Sequence, residues 1–108
     1  MNLDIQTEEK DDYTLVYVAG EVDAYTASQL RESLLPLTEK ENGNVIVDLS
    51  SVDYIDSTGL GIFIGALKSS NSYNGTLKLI GLNTRVKRLF SITGLDEVMD
   101  IEEGEEAQ

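Results

Sequence analysis

Histidine, cysteine and tryptophan are absent from this sequence of 108 residues, and proline occurs once, at Pro36. Without histidine there is no imidazole base and no Ser-His-Asp triad, and the commonest metal ligand is missing. Without cysteine there is no disulfide, thiol nucleophile, structural zinc cage or iron–sulfur cluster. Cations are scarce too: eight Lys and Arg stand against twenty Asp and Glu, a formal net charge of −12. Charge therefore draws the chain neither to phosphate backbones nor to an anionic membrane surface. Apolar runs are short, and Leu60 to Leu67 reaches only eight residues with two glycines among them. A membrane helix needs about 20. The polar, acidic start, Met1 to Asp12, reads as neither a signal nor a transit peptide. The expectation is a cytoplasmic protein with no metal, no cofactor and no direct contact with nucleic acid or membrane.

A hydrophobic content of 41% in this length supplies one core and one domain. Leu3, Ile5 and Thr7 alternate with polar residues as in a half-buried strand, and Tyr13 to Ala19 forms a second, closed by Gly20. The short charged turn between them predicts an antiparallel hairpin. A helix follows, with Thr26 and Gln29 as a capping box and a stripe of Ala27, Leu30, Leu34 and Leu37. Pro36 predicts a kink or break in it, and Gly43 a left-handed cap. Val45 to Leu49 is apolar almost throughout, as in a parallel strand covered on both faces. Residues 50–56 read as a connection. A second helix starts near Ser57, with Leu60, Phe63, Ile64 and Leu67 on one stripe. Thr76 to Ile80 is a strand after Asn74-Gly75, and a last helix carries Val86, Leu89 and Phe90 with Gly94 beyond it. Arg85, Lys87 and Arg88 form a solvated basic face on that helix, able to pair with the acidic tail.

The predicted class is α/β, in the order β-β-α-β-α-β-α. One mixed sheet opens with an antiparallel hairpin, continues through parallel crossovers and has helices packed on it. Residues 1–101 form the domain and 102–108 a solvated acidic tail. Seven of the twenty acids lie between Asp96 and Gln108 with no cation among them, so more than half of the net charge is terminal.

The stretch that carries chemistry is Asp56-Ser57-Thr58-Gly59, delivered by a strand and a short loop to a helix start. The plainest reading is a cap, with either Asp56 or Ser57 supplying the oxygen. A nucleophile elbow fails, because Ile55 stands where its first glycine belongs and no histidine exists to activate the serine. A dinucleotide loop fails at Ile64, which replaces the third glycine. Phosphorylation of Ser57 remains as the sharper reading. It would add about −1.5 to −2 charges at an exposed junction, where helix N–H groups stabilise an anion internally. Glycines at 61 and 65 leave a bare groove on a helix otherwise apolar on most sides, including Ile62, which suits either close packing or a partner.

Gly20-Glu21-Val22-Asp23, Thr26-Ala27 with Leu30, Asp56-Ser57-Thr58-Gly59-Leu60-Gly61 and Thr93-Gly94-Leu95 together resemble the STAS-domain anti-sigma factor antagonists, in order along the whole chain. Thr58 makes the likeness greatest to the general-stress, sigma-B branch. Ser28 departs from the pattern, since many relatives have proline there. The resemblance implies a binding protein, not an enzyme. Its partner would be an anti-sigma factor that is itself a serine kinase, and its binding would free a sigma factor. The kinase would phosphorylate Ser57 and so release the antagonist, and a serine phosphatase would reverse this. Asp23, Asp56, Thr58, Gly59, Gly61 and Ile62 are the expected partner-binding residues. Asp23 should reach the same end of the sheet as Asp56, where it either meets the partner or caps the first helix. Two alternatives stand beside this: a receiver-like phosphoprotein, and a STAS module that binds a small ligand.

Overall fold

The computed structural model describes residues 2–102, so most of the expected acidic tail lies outside the described residues. Strands β1 (Leu3–Glu9) and β2 (Thr14–Val22) pair antiparallel, from Leu3 opposite Gly20 to Glu9 opposite Thr14. Helix α1 (Ala27–Thr38) leads to β3 (Asn44–Ile55), α2 (Ser57–Ser72), β4 (Thr76–Ile80) and α3 (Thr84–Ile92). A 3₁₀ turn at Leu95–Glu97 then feeds β5 (Asp100–Glu102). The strands lie in the spatial order β1-β2-β3-β4-β5, and every pair after the hairpin is parallel. A receiver, by contrast, has the doubly wound order 2-1-3-4-5. Among the described residues no helix is long and apolar enough to cross a membrane.

Among the described residues the sheet is covered on one face only. Val16, Val18, Val45, Val47, Leu49, Leu77 and Leu79 join the buried residues of all three helices in one core. The expectation that β3 is covered on both faces was wrong. Ile46 and Asp48 point to the other side and are half-buried, beside Leu15, Tyr17, Lys78 and Ile80. Ile46 keeps its apolar surface partly dry through its lateral neighbours Leu15 and Lys78. A continuous apolar run therefore did not mean two buried faces.

Residues 50–55 are strand, not connection. The register with β2 slips twice: Tyr17 faces Asp48 but Ala19 faces Ser51, and Gly20 faces Val52 but Glu21 faces Tyr54. Each slip gives β3 one extra residue, a bulge that resets which side chains point inward. The buried positions consequently run 45, 47, 49, 52, 55. Asp48 fixes the first bulge by accepting from the Ser50 N–H at 2.9 Å and its hydroxyl at 2.7 Å.

Three local expectations also change. The capping box is not formed, because Gln29 Nε2 donates to the Leu3 carbonyl at 2.9 Å and ties α1 to β1 instead. Pro36 does not break α1, which runs on to Thr38. The ring lies in the last turn, and the Glu39 N–H still reaches the Leu35 carbonyl. The left-handed residue after α1 is Asn42, at φ 60°, rather than Gly43. Asparagine tolerates that region through its short polar side chain. Gly94, expected just beyond α3, is left-handed at φ 78°.

Phe63 from α2 and Phe90 from α3 are fully buried and meet edge to face, with centroids 6.1 Å apart. They are the largest side chains in the core and join two of its three helices. Phe90→Ala is expected to lower stability by about 3–5 kcal/mol, read as a lower urea midpoint with the slope unchanged.

Candidate functional site

The last pair between β2 and β3 is Val22 with Ile55, so Asp23 and Asp56 leave the sheet side by side at its carboxyl end. Asp56 stays attached to β2, its N–H donating to the Val22 carbonyl at 3.0 Å. Its backbone is extended (φ −100°, ψ −174°), and its side chain accepts from the Gly59 N–H at 2.9 Å. Its own carbonyl accepts from the Leu60 N–H at 2.8 Å. Of the two residues that could cap α2, Asp56 does so.

Ser57 is thereby left as the first helical residue, exposed, and its hydroxyl makes no hydrogen bond to any described residue. Thr58 is exposed beside it. The N–H groups of Ser57 and Thr58 also find no acceptor among the described residues, since the cap satisfies Gly59 and Leu60 only. A hydroxyl therefore stands at the positive end of a sixteen-residue helix, next to two free donors.

The glycines of α2 separate into two kinds. Gly59 is buried, and a Cβ there would lie 2.5 Å from Val22 Cγ1 and 2.7 Å from the Val22 carbonyl oxygen. Only glycine lets the first turn of α2 sit this close to β2. Gly61 and Gly65 are exposed, with nothing within 4 Å of an added Cβ. They form an uncovered strip behind Ser57, with Ile62 half-buried beside it.

Asp23 is 7% exposed and works as the turn into α1. Its Oδ1 accepts from the N–H groups of Tyr25 at 2.9 Å and Thr26 at 3.1 Å. The Asp23 N–H donates to Thr26 Oγ1 at 2.9 Å, and that hydroxyl donates to the Glu21 carbonyl at 2.8 Å. The hydroxyl of Thr26, expected in a capping box, is used here. The turn also displays Tyr25, 84% exposed, which was not among the candidate residues drawn from the sequence. An aromatic inside a polar turn was the available signal. Of the expected contact residues, Thr58 and Gly61 lie on the surface, Asp56 and Ile62 are partly covered, and Asp23 and Gly59 are buried. Among the described residues no group of three or more acids is placed to hold a metal.

Comparison with known proteins gives a consistent picture. The family described as "STAS domain" matches residues 4–107. The anti-sigma-B factor antagonist of Staphylococcus epidermidis is 44% identical over 108 residues, all of both chains. That of Staphylococcus aureus is 43% identical over the same span. An anti-sigma factor antagonist from Mycobacterium paratuberculosis, solved as a crystal structure, superposes with a TM-score of 0.84 at 22% identity, covering 98% of this chain and 90% of that one. At that identity the likeness is one of fold.

The two kinds of glycine predict opposite effects from one substitution. Gly59→Ala forces α2 off Val22 and should destabilise the domain by about 1–3 kcal/mol. Gly61→Ala, with open space around it, should stabilise it by up to about 1 kcal/mol. Urea denaturation of both variants checks the contrast.

Proposed function

The chain belongs to the STAS-domain family, and we propose that it is an anti-sigma factor antagonist switched by phosphorylation of Ser57. Unmodified, it binds an anti-sigma factor that is also a serine kinase, and the sigma factor held by that kinase goes free to start transcription in the cytoplasm. The full-length identity with anti-sigma-B factor antagonists supports the general-stress branch. The observation that carries the switch is the exposed Ser57 hydroxyl, with no partner among the described residues, at a helix start whose cap comes from the residue before it.

In the transfer, Ser57 Oγ attacks the γ-phosphorus of kinase-bound ATP. A new O–P bond forms, the bond to the bridging oxygen breaks, ADP leaves and the hydroxyl proton passes to a base on the kinase. The product carries about −1.5 to −2 charges. The free N–H groups of Ser57 and Thr58 and the helix dipole stabilise that charge within the domain, so the fold survives. The kinase surface, fitted to a neutral hydroxyl, then meets a dianion. Thr58, Gly61 and Ile62 form the contact surface around Ser57, and Asp56 holds the helix start. Gly59 sets its height above β2, and Asp23 fixes the neighbouring turn with one carboxylate oxygen turned inward. A serine phosphatase restores the binding form. The antagonist itself catalyses nothing.

An uncompensated charge inside an interface costs about 2–5 kcal/mol, and moving a partner from 99% to 1% bound needs about 5.5 kcal/mol. One phosphate is close to sufficient, with a small shift of the Ser57 turn supplying the rest. Ser57→Ala should bind the kinase as tightly as the wild type and stay bound when ATP is added. Ser57→Asp should weaken binding by roughly 30-fold or more, with its melting temperature nearly unchanged. Pull-down and titration calorimetry measure the binding. Phosphate found on Ser57→Ala by intact-mass analysis would move the site elsewhere.

A further inference from the structure

A groove of about 240 Å³ runs between the end of β3 and α3, lined by Tyr54, Ile55, Arg85, Val86, Leu89 and Ile92. Building on the function proposed above, we propose that this groove is a second docking point for the anti-sigma factor, receiving an apolar side chain flanked by a carboxylate. Three observations carry it.

The first is exposed apolar surface on both walls. Ile92 is 75% exposed and Tyr54 46%, and both line the groove. Single exposed apolar residues are ordinary, whereas a pair framing a concavity is what an anchoring side chain fills.

The second is charge. Arg85, Arg88 and Ile92 recur at helical spacing, so two guanidiniums stand on the same face of α3 as the apolar wall. Neither Arg85 nor Arg88 makes an ion pair or hydrogen bond to a described residue. Asp53 lines the adjoining hollow with Arg85 without pairing to it. On a chain with twenty acids and eight bases, this rim is one place where an incoming carboxylate meets attraction.

The third is continuity. Ile55, a wall of the groove, directly precedes the Asp56 cap, and Ser57 is the next residue. A partner over Ser57 thus already lies beside the groove.

The test titrates the anti-sigma factor of the organism that encodes this chain against the wild type, Ile92→Ser, Arg85→Glu and Ser57→Asp. Tyr73→Ser, at the far end of α2, serves as the control. Position 85 lies in the first turn of α3, where a glutamate suits the helix dipole, so Arg85→Glu should fold normally. Ile92→Ser and Arg85→Glu are each expected to raise Kd by roughly tenfold or more, and Arg85→Glu should also flatten the salt dependence. Melting temperatures and the control should stay at wild-type values. If both groove variants bind normally while Ser57→Asp does not, the groove assignment is wrong and the function stands. If the wild type binds no anti-sigma factor, both readings fall. A change in self-association by sedimentation, with kinase binding intact, would give the groove to a second copy and overturn the assignment.

Discussion

Val22 ends β2 and holds two neighbours at once. Its carbonyl accepts the Asp56 N–H, and its side chain and carbonyl fill the space that any Cβ at position 59 would need. The next residue, Asp23, turns the chain into α1 with its own carboxylate. The height, direction and starting residue of α2 all follow from this one contact. Had Asp56 not been held there, the cap could pass to Ser57, whose hydroxyl would then be occupied in the helix rather than presented to solvent. The availability of Ser57 is thus a consequence of how β2 and β3 end together.

The sheet's irregularity serves the same end. β4 pairs with β3 only as far as Ile80 opposite Asp48, and beyond that β3 continues with β2 alone on one side. On its open edge the Val52 carbonyl is taken by the Asn83 side chain at 3.0 Å, just as Asn83 caps α3. The two bulges let Val52 and Ile55 face the core while Asp53 and Tyr54 stay outside. A regular strand would alternate from Leu49 to Ser51 and Asp53, placing a serine and an acid in the core. The bulges are what make this sequence compatible with a long strand that reaches the site.

Those same bulges explain what could be read in advance. Where a pattern obeyed one period, the sequence revealed it: β4 has the predicted limits, α2 starts at the predicted serine, and the order of the first seven elements was right, with β5 added after them. The Ser57 junction was also legible, because strand, turn, hydroxyl and glycine follow one another locally. Positions 50–55 were not, since two extra residues destroy a period of two and imitate a loop. The open face of the sheet was hidden for another reason. Ile46 is apolar because its lateral neighbours Leu15 and Lys78 shield it, and lateral pairing leaves no mark in one strand's own sequence. Thr26 and Gln29 matched a local motif, yet Leu3 and Glu21 offered them better partners from β1 and β2. The groove at α3 is lined by both Tyr54 and Ile92, which are far apart along the chain.

A phosphorylation switch limits how tightly its unmodified form can bind. If the penalty of the phosphate is about 2–5 kcal/mol, an interface much stronger than that margin would stay occupied after modification. An interface resting on Ser57 alone would be too small to displace a sigma factor. Dividing the contact meets both conditions. In the proposed division, the groove between Tyr54 and α3 would supply affinity that phosphorylation does not alter, and the Ser57 turn would carry the part that does. The net charge of −12 fits this division. Against so large a background, two further charges barely change the long-range field, which is screened within about 8 Å at physiological salt. In the proposed switch their effect would be confined to a desolvated contact over the helix start, which is where a local switch has to act.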